Sequence, residues 1–251
     1  MIHTHNDLRL GDNLVQLNFL RRLCLANPEL EITHYYNPAF CRMEEIDALR
    51  SDISLRLRLK TIDQAPEESI DSWRDAGGHW ERHPDKLNFA QFHLDWFAEL
   101  ASRMAVKNPI TTVDDLLFDY PALTENVENF DAIVINSQGL SGQFQNFSAQ
   151  GFIDLIRILQ VKGMRVLSTA PTGICACSQP HDVSWIGAAS TTAQLIVGTS
   201  TGPSWPCFNV HNRSALHVMC ADVENVVLTP RGRVARSPHH AISVLEELGI
   251  V

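Results

Sequence analysis

Segments with the pattern of a β-strand alternate with segments with the pattern of an α-helix along this 251-residue chain, and this alternation restricts the fold most strongly. The first strand candidate, MIHTH, is followed by a polar turn and by leucines at helical spacing that stop at Asn27-Pro28. The segment ELEITHYYNP then has the pattern of a second strand and completes a β-α-β unit. Because such units build parallel sheets, the sequence predicts an α/β protein.

The second half of the chain repeats this order. FDAIVINSQG, MRVLSTAPTG, QLIVG and ENVVLTP are predicted strands, and helical patterns lie between them. The last helix is predicted to begin at Ser237-Pro238, because serine is a preferred N-cap and proline is tolerated in the first turn. A polar, proline-marked stretch near residues 108–130 separates the halves, so we predict two Rossmann-like domains, residues 1–120 and 121–251.

Charge and hydropathy exclude several classes of protein. The formal net charge of -9 argues against a nucleic-acid-binding protein, which needs a basic face. No apolar run is long enough for a transmembrane helix, and no basic region followed by an apolar segment indicates a secretory signal, so a cytoplasmic protein is expected. The six cysteines form no CxxC pair, which predicts reduced, mostly buried thiols rather than a zinc site.

The histidine pair on the first strand, His3 and His5, raises the alternative of a metal site. An HxH pair in that place is typical of amidohydrolases, whose barrel needs eight β/α units and further ligands at later strand ends. The later strands end in serine, threonine and proline, and among the other histidines only His34 lies clearly at a strand end. We therefore expect no metal, and at most a hydrogen-bonding role for His5 toward an acceptor.

Loops that follow the carboxyl ends of the strands are the candidate ligand sites, because ligands of open parallel sheets bind there. In the first such loop, HNDLRLGDN, Asp12 either caps the following helix or acts as a general base. In the loop INSQGLSGQFQNFS, Ser137 and Gly139 belong to a run of small residues that would let backbone amides approach an anion, and a plain loop is the alternative.

The loop VGTSTGPSWP is the strongest predicted anion site. A strand ends in Ser200-Thr201-Gly202, and the next helix is predicted to begin at or just after Pro203. Backbone amides at the start of such a helix, together with its positive dipole end, suit a diphosphate.

Three segments resemble, in the same order, segments of the heptosyltransferase-like glycosyltransferases (glycosyltransferase family 9). RLGDNLVQLNFLRRLCLANPELEITHY is similar to the opening of that family, and AIVINSQGLSGQFQNFSAQGFIDLIRILQVKGMRVLSTAPTG to the start of its donor domain. AQLIVGTSTGPSWPCFNV is similar to its Val-Gly-Asn-Asp-Ser/Thr-Gly-Pro-x-His signature. The resemblance implies a GT-B fold, in which two Rossmann-like domains face each other across a cleft, with the acceptor on residues 1–120 and a nucleotide-sugar donor on residues 121–251.

The resemblance also implies a function: metal-independent, inverting transfer of a sugar from a nucleotide-sugar donor to a glycan or lipid-linked acceptor, with no further cofactor. Asp12 matches the aspartate that is the family's proposed base. The donor-side positions implied by the resemblance are Ser137, Gly139, Ser200, Thr201, Gly202 and Pro203. Arg213 and Arg231, which follow elements of the donor half, are looser candidates for the phosphates.

Departures from the family pattern keep a second function open. Ser200 stands where the family has an aspartate, Trp205 where it has a histidine, and Gln143 and Gln145 occupy the region of a lysine. These losses are compatible with a non-catalytic relative that binds a nucleotide or glycan as a scaffold. A Rossmann oxidoreductase is disfavoured, because no glycine fingerprint follows the first strand and no acid ends the second. The donor's base and sugar and the oligomeric state are not specified by these patterns.

Overall fold

The chain separates into two compact units in the computed structural model: unit 1, Met1–Pro121, and unit 2, Ala122–Val251. The residues described are 1–72, 89–119, 121, 127–137, 147–178, 183–220 and 231–251. The boundary expected from the sequence lies between residues 120 and 121, and the assignment of acceptor and donor roles to the two halves stays a prediction.

Within the described residues of unit 1, four parallel strands form one sheet in the order β3-β2-β1-β4. They are β1 Ile2–Asn6, β2 Ile32–Tyr36, β3 Leu57–Thr61 and β4 Ile70–Asp71. All five residues of β2 are buried, as expected for a strand inside a parallel sheet. The first β-α-β unit predicted from the sequence is confirmed.

Helix α1, Leu10–Ala26, supplies much of the core of unit 1. Leu17, Leu20 and Leu23 are fully buried, and the helix ends where Asn27 forms the C-cap. The other helices described in this unit are α2 Met43–Asp47 and α3 Phe89–Arg103. Short 3₁₀ segments also occur at Ala48–Arg50, Ile62–Gln64 and Val113–Leu116.

The aromatic stripe predicted on α3 packs into this core. Its buried members are Phe92, Trp96, Phe97, Leu100 and Met104. Phe97 stacks on Phe19 of α1 with ring centroids 4.1 Å apart. The stripe is therefore core, as expected, although the side chain of Phe89 lies outside the described residues.

The paired arginines of α1 hold the end of unit 1 in place. Arg21 donates from Nε and Nη2 to the two carboxylate oxygens of Asp52 at 3.0 and 2.6 Å, and from Nη1 to the Asp119 carbonyl oxygen. Arg22 donates to the Asp115 carbonyl oxygen at 2.8 Å. Because these bonds bridge about a hundred residues of sequence, α1 fixes the segment through which the chain leaves unit 1.

Within the described residues of unit 2, six parallel strands form one sheet in the order β10-β9-β8-β5-β6-β7. They are β5 Ala132–Ile135, β6 Val166–Ser168, β7 Ala176–Cys177, β8 Leu195–Thr199, β9 Leu216–Cys220 and β10 Gly232–Ala235. Counted from β5, this is the 3-2-1-4-5-6 order of a Rossmann fold. The order reverses between β5 and β8, which are direct neighbours.

Helices α4 Ala149–Val161, α5 Val183–Ser190 and α6 Pro238–Glu247 complete unit 2. The core is built from the apolar faces of α4 and α6 against β5, β8 and β9, with Leu155, Ile156 and Leu245 fully buried. Helix α6 begins as predicted, because the Ser237 side chain accepts a hydrogen bond from the His240 amide at 3.0 Å. No helix in the described ranges is long and apolar enough to cross a membrane.

Three strands described in unit 2 differ from the sequence prediction: the two-residue strand β7, Ala176–Cys177, and the longer strands β9 and β10. LHVMC forms β9 and GRVA forms β10, although neither segment was predicted as a strand. β9 carries no alternation because all five of its residues are buried. The predicted strand ENVVLTP lies outside the described residues.

Candidate functional site

The turn from β1 into α1 is fixed by side-chain amides. Asn6, at the carboxyl end of β1, accepts from the Leu8 amide at 2.9 Å. Asn13, in the first turns of α1, donates to the carbonyl oxygens of Leu8 and Arg9 at 3.2 and 3.1 Å. Since β1 has β2 on one side and β4 on the other, this turn lies where the strand order of the sheet reverses, the usual place for a ligand.

A buried histidine fixes the same helix to the sheet. His34 on β2 contacts the Thr4 hydroxyl through Nδ1 at 2.9 Å and the Asn13 Oδ1 through Nε2 at 3.2 Å. Burial lowers the pKa of His34 to about 3, so the ring is neutral in the physiological range. A neutral ring that donates to Asn13 and accepts from Thr4 satisfies both contacts, and this places the start of α1.

Asp12 occupies a different position from the predicted N-cap. The helix begins at Leu10 with Arg9 as N-cap, so Asp12 is the third helical residue. Its Oδ2 accepts from the Arg9 amide at 3.4 Å, an arrangement in which a carboxylate stabilises the helix start from inside. The expectation that Asp12 precedes the first turn was therefore wrong, because the N-cap lies three residues earlier, at Arg9.

The pKa of Asp12 is raised toward the range that is useful for proton transfer near neutral pH. Burial raises the pKa of its carboxyl from the usual 3.8 to about 6. The Arg9 amide and the Arg9 charge act in the opposite direction, but desolvation is the larger effect. A carboxylate with this pKa is mostly ionised at neutral pH and binds a proton more readily than an ordinary aspartate.

Both histidines of β1 contact other side chains through their ring nitrogens. His3 Nδ1 lies 3.0 Å from the Tyr35 hydroxyl, and His5 Nδ1 lies 2.8 Å from the Ser69 hydroxyl. His5 Nε2 is 3.5 Å from the Asp71 carboxylate. Among the described residues no group of three metal-ligating side chains forms.

Two of the predicted donor-side loops meet where the strand order of unit 2 reverses. Ser137, just after β5, and Thr201, just after β8, have their hydroxyl oxygens 3.1 Å apart. Thr199 at the end of β8 donates to the carbonyl oxygens of Ile135 and Ser137 at 3.1 and 2.8 Å. The structure thus brings Ser137 and Thr201 together, whereas Gly139 lies outside the described residues.

The amides that follow β5 are already bonded. The Thr169 hydroxyl accepts from the amides of Asn136 and Ser137 at 3.1 and 3.2 Å. The Asn136 side chain in turn accepts from the Ala170 amide at 2.7 Å and donates to the Ala170 carbonyl oxygen at 3.0 Å. These two amides are therefore not available to an anion, contrary to the role expected for the start of this loop.

A glycine near the end of β8 allows the strands to approach closely. Gly198 has a φ of +137°, and a Cβ at this position would lie 2.7 Å from the carbonyl carbon of Ile135. Only glycine fits such a place without movement of the backbone. The valine-glycine pair of the predicted signature thus sets the distance between β5 and β8.

The segment after β8 is a 3₁₀ helix, Gly202–Cys207, rather than the expected α-helix. Thr201 is its N-cap, and the Ser204 hydroxyl donates to the Thr201 carbonyl oxygen at 2.8 Å. Pro203 has no amide hydrogen, so it removes one donor from this turn. The Gly202 amide, as the first of the helix, has no intrahelical acceptor.

The family-signature positions Ser200 and Trp205 are both buried, with 8% and 7% of their surface exposed. Trp205 packs against Phe208, with ring centroids 6.0 Å apart. The side chain that replaces the family's histidine is therefore part of the core.

A pocket of about 300 Å³ opens beside these strand ends in unit 2. Its described lining is Asn136, Ser137, Phe147, Ala149, Phe152, Ile153, Ala170, Pro171, Thr172 and Thr199. None of these side chains is charged. Arg213 and Arg231 are exposed on the surface and are not among the described residues that line the pocket.

The sequence analysis missed the polar residues that join the strand ends beside this pocket. Asn136 and Thr169 tie β5 to β6, and Thr199 ties β8 to β5. Each is a polar residue at the carboxyl end of a buried strand, and that position is the signal by which they could have been found.

No protein-family profile and no curated protein matches the sequence. The structure is similar to E. coli heptosyltransferase WaaC with ADP, with a TM-score of 0.61 and 13% identity over 99% of this chain and 98% of that one. It is also similar to a glycosyltransferase family 9 protein from Veillonella parvula DSM 2008, with a TM-score of 0.53 and 11% identity over 93% of this chain and 86% of that one.

A third similar structure is the iron-containing dodecameric glycosyltransferase TibC from enterotoxigenic E. coli H10407. The TM-score is 0.58 at 13% identity, over 92% of this chain and 61% of TibC, so the chain spans about three fifths of TibC's length. Similarity at such low identity shows the fold alone. The resemblance to heptosyltransferase-like proteins and the predicted α/β fold class, two Rossmann-like domains of the GT-B type, are confirmed at that level.

Proposed function

We propose that this protein is a metal-independent, inverting glycosyltransferase that acts in the cytoplasm. It would move a sugar from a nucleotide-sugar donor to a glycan or lipid-linked acceptor, with the acceptor on unit 1 and the donor on unit 2. The observation that carries this proposal is the half-buried carboxylate of Asp12, in the first turn of the helix that follows the first strand, with its pKa raised to about 6.

In the proposed reaction, Asp12 takes the proton from an acceptor hydroxyl as the hydroxyl oxygen attacks the anomeric carbon of the donor sugar. The bond between that carbon and the nucleoside diphosphate breaks, and the bond electrons leave with the diphosphate. Attack from the face opposite the leaving group inverts the anomeric centre. A general base works best when its pKa lies near the working pH, which fits the shift at Asp12.

The pocket of unit 2 supports the donor side of the proposal. Its phenylalanine, alanine and proline surfaces suit the flat face of a nucleobase, and Ser137, Thr172 and Thr199 offer hydroxyls to a ribose or sugar. The Gly202 amide and the Thr201 hydroxyl follow β8 at the same strand end and would meet the diphosphate. The similarity to heptosyltransferase WaaC, whose structure was solved with ADP, makes an ADP-linked heptose the first donor to test.

The test is transfer by the wild type and by Asp12→Asn, in the presence of a metal chelator. The amide keeps the shape of the carboxyl but cannot accept the proton, so we expect transfer to disappear while donor binding is unchanged. Turnover by Asp12→Asn equal to that of the wild type would show that Asp12 is not the base. Loss of wild-type activity in the presence of the chelator would show that the transfer depends on a metal ion.

The neutral lining of the pocket favours a second candidate function. A leaving diphosphate gains most from a cation, and the described lining residues supply none. With Ser200 and Trp205 at the family's acid and histidine positions, the chain could bind a nucleotide or glycan as a non-catalytic scaffold. Titration of nucleoside diphosphates separates the two: a raised melting temperature without transfer to any acceptor supports binding only, and no shift with any nucleotide supports a scaffold.

A further inference from the structure

Polar side chains line the face of the unit 1 sheet that lies opposite to α1. Thr4 of β1 bonds His34, which in turn reaches Asn13 of α1, so this helix covers the face that Thr4 occupies. Because side chains alternate along a strand, His3 and His5 lie on the other face. Both histidines are partly exposed, whereas Thr4 is fully buried. Solvent therefore reaches this polar face at the two histidines.

The register of β1 and β4 brings a serine and an aspartate to the same face. His5 pairs with Asp71 across the two parallel strands, and paired residues share a face. Ser69 directly precedes β4 and is two residues from Asp71, so it lies on the same side. The Ser72 amide and hydroxyl both donate to the His5 carbonyl oxygen at 2.8 Å, which fixes the end of β4 beside β1.

The His5 ring joins the side chains of the serine and the aspartate. Its Nδ1 lies 2.8 Å from the Ser69 hydroxyl, and its Nε2 lies 3.5 Å from an Asp71 carboxylate oxygen. The His5 and Asp71 side chains are 22% and 16% exposed, and Ser69 is half-buried, so the group is accessible from solvent. A neutral imidazole that accepts from Ser69 at Nδ1 carries its proton on Nε2, toward Asp71.

We infer that Ser69, His5 and Asp71 form a catalytic site that hydrolyses small neutral esters. This activity goes beyond the proposed sugar transfer and needs no nucleotide sugar. Ser69 is the nucleophile, His5 is the general base, and Asp71 is a positioning residue that orients the ring. The serine faces Nδ1 and the aspartate faces Nε2, the reverse of the order in serine proteases, and either ring nitrogen can accept the proton.

The reaction proceeds through an acyl-serine. The Ser69 hydroxyl oxygen attacks the ester carbonyl carbon, and its proton moves to His5 Nδ1. The bond from that carbon to the alcohol oxygen breaks, its electrons leave with the oxygen, and the oxygen takes the proton from Nδ1. Water then attacks the acyl carbon and gives a proton to Nδ1, and the released Ser69 oxygen takes that proton. One ester and one water thus become one carboxylic acid and one alcohol.

A donor for the developing oxyanion stands beside the serine. Two residues before the His5–Asp71 pair on each strand, the same register sets His3 opposite Ser69. His3 Nδ1 lies 3.0 Å from the Tyr35 hydroxyl. When that hydroxyl donates to Nδ1, the neutral ring carries its proton on Nε2, and this N–H can donate to an oxyanion formed at Ser69.

Acidic residues next to the serine set the charge of the substrate. Glu67 and Glu68 directly precede Ser69 and are exposed, and the Asp71 carboxylate lies on the other side of it. These carboxylates repel an anionic ester at low ionic strength. A neutral ester is therefore the substrate class that fits.

The experiment uses the full chain without nucleotide sugar. A fluorophosphonate probe, which reacts with activated serines, is located by peptide mass spectrometry, and p-nitrophenyl acetate and its sulfonated analogue serve as neutral and anionic esters. The variants are Ser69→Ala, His5→Ala, Asp71→Asn and the conservative change Asp71→Glu. Ser54→Ala, which removes an exposed serine of the same unit, is the matched control. Urea unfolding gives the stability of each protein.

We expect the probe to label Ser69 in the wild type and in Ser54→Ala, and to be lost from Ser69→Ala. His5→Ala should react about 100-fold more slowly, which is the contribution of a general base. Free imidazole should restore part of the His5→Ala rate, because the space left by the ring is partly exposed. Asp71→Asn should also slow the reaction, and Asp71→Glu should recover most of that loss. The neutral ester should be hydrolysed faster than the anionic one.

Three results would overturn the inference: no label on Ser69 of the wild type, equal labelling of the wild type and His5→Ala, or a slowed but stably folded His5→Ala that imidazole does not rescue. If Ser69→Ala fails to fold, the labelled peptide of the wild type still identifies the reactive serine. The proposed function fails by a different result. Labelling and ester hydrolysis at Ser69, without sugar transfer from any nucleotide sugar, would keep this site and argue against the transferase.

Discussion

Asp12→Asn should make the protein more stable at neutral pH while it abolishes the proposed activity. In the folded chain, burial raises the pKa of the Asp12 carboxyl from 3.8 to about 6. Well below pH 3.8 the Asp12 carboxyl is protonated, and therefore neutral, in both the folded and the unfolded chain. Burial then has no effect on stability through the charge of this group. Between about pH 4 and 6 only the unfolded chain ionises fully, so the wild type loses stability as the pH rises.

The size of this loss follows from the two pKa values. A tenfold difference in proton affinity is 1.36 kcal/mol, so the rise from 3.8 to about 6 corresponds to about 3 kcal/mol above pH 6. Asparagine is neutral at every pH and can still accept from the Arg9 amide through its oxygen. The variant should therefore match the wild type near pH 3.5 and exceed it by up to about 3 kcal/mol at pH 7.

The assay is urea unfolding of the full chain, followed by circular dichroism, at a series of pH values. The quantity of interest is the difference in unfolding free energy between the variant and the wild type, because other titrating groups cancel in it. Asp63→Asn is the matched control: it removes an exposed carboxylate from the same unit and should leave the wild-type decrease between pH 4 and 6 in place.

A pH-independent difference would refute the reasoning, and so would an Asp12→Asn protein less stable than the wild type at pH 7. The first result would mean that the carboxyl is solvated and has an ordinary pKa. The second would mean that the bond to the Arg9 amide outweighs the cost of burying the charge.

Three further substitutions test other parts of the structure. Gly198→Ala should destabilise unit 2 by about 3 kcal/mol or more, because its Cβ would collide with the Ile135 carbonyl group, and urea unfolding measures this. Arg21→Met should lower the unfolding free energy by about 1 to 3 kcal/mol, since it removes the bidentate bonds to Asp52 and the bond to the Asp119 carbonyl oxygen that the buried guanidinium makes. Ser137→Ala should weaken nucleotide-sugar binding about tenfold in calorimetry, because a hydroxyl that lines the pocket is removed.

Each of these expectations can be contradicted by a simple result. Wild-type stability of Gly198→Ala would mean that β5 and β8 separate without cost. A stability of Arg21→Met equal to that of the wild type would show that the ion pair does not anchor α1. Unchanged affinity of Ser137→Ala would place the donor elsewhere in unit 2.

Hydrophobic periodicity predicted α1, α4 and α6 and most buried strands, because leucines recur at helical spacing along α1, and α4 and α6 each bury one apolar face. It did not place Asp12 correctly within α1. An aspartate is favourable both as N-cap and inside the first turn, since its carboxylate meets free amides in either place. The helix start at Leu10, marked by the bond from the Asn13 amide to the Arg9 carbonyl oxygen, shows that Asp12 is the third helical residue.

Hydrophobic periodicity along the sequence could not predict which loops lie next to each other in the fold. Ser137 and Thr201 are 64 residues apart, and they meet because β5 and β8 are neighbours in the sheet. Strand order depends on the packing of the whole unit rather than on the pattern of any segment. β9 and β10 were missed for a related reason: a five-residue buried run and an edge strand carrying an exposed arginine show no alternation.

The most direct test of the central claim is sugar transfer measured by mass spectrometry. Purified protein would be mixed with a panel of nucleotide sugars that includes ADP-heptose, a glycan acceptor and a metal chelator. We predict that the wild type adds one sugar to the acceptor and releases the nucleoside diphosphate, and that Asp12→Asn gives no product. No product with any donor, or equal product from Asp12→Asn, would contradict the claim that this chain is a glycosyltransferase with Asp12 as its base.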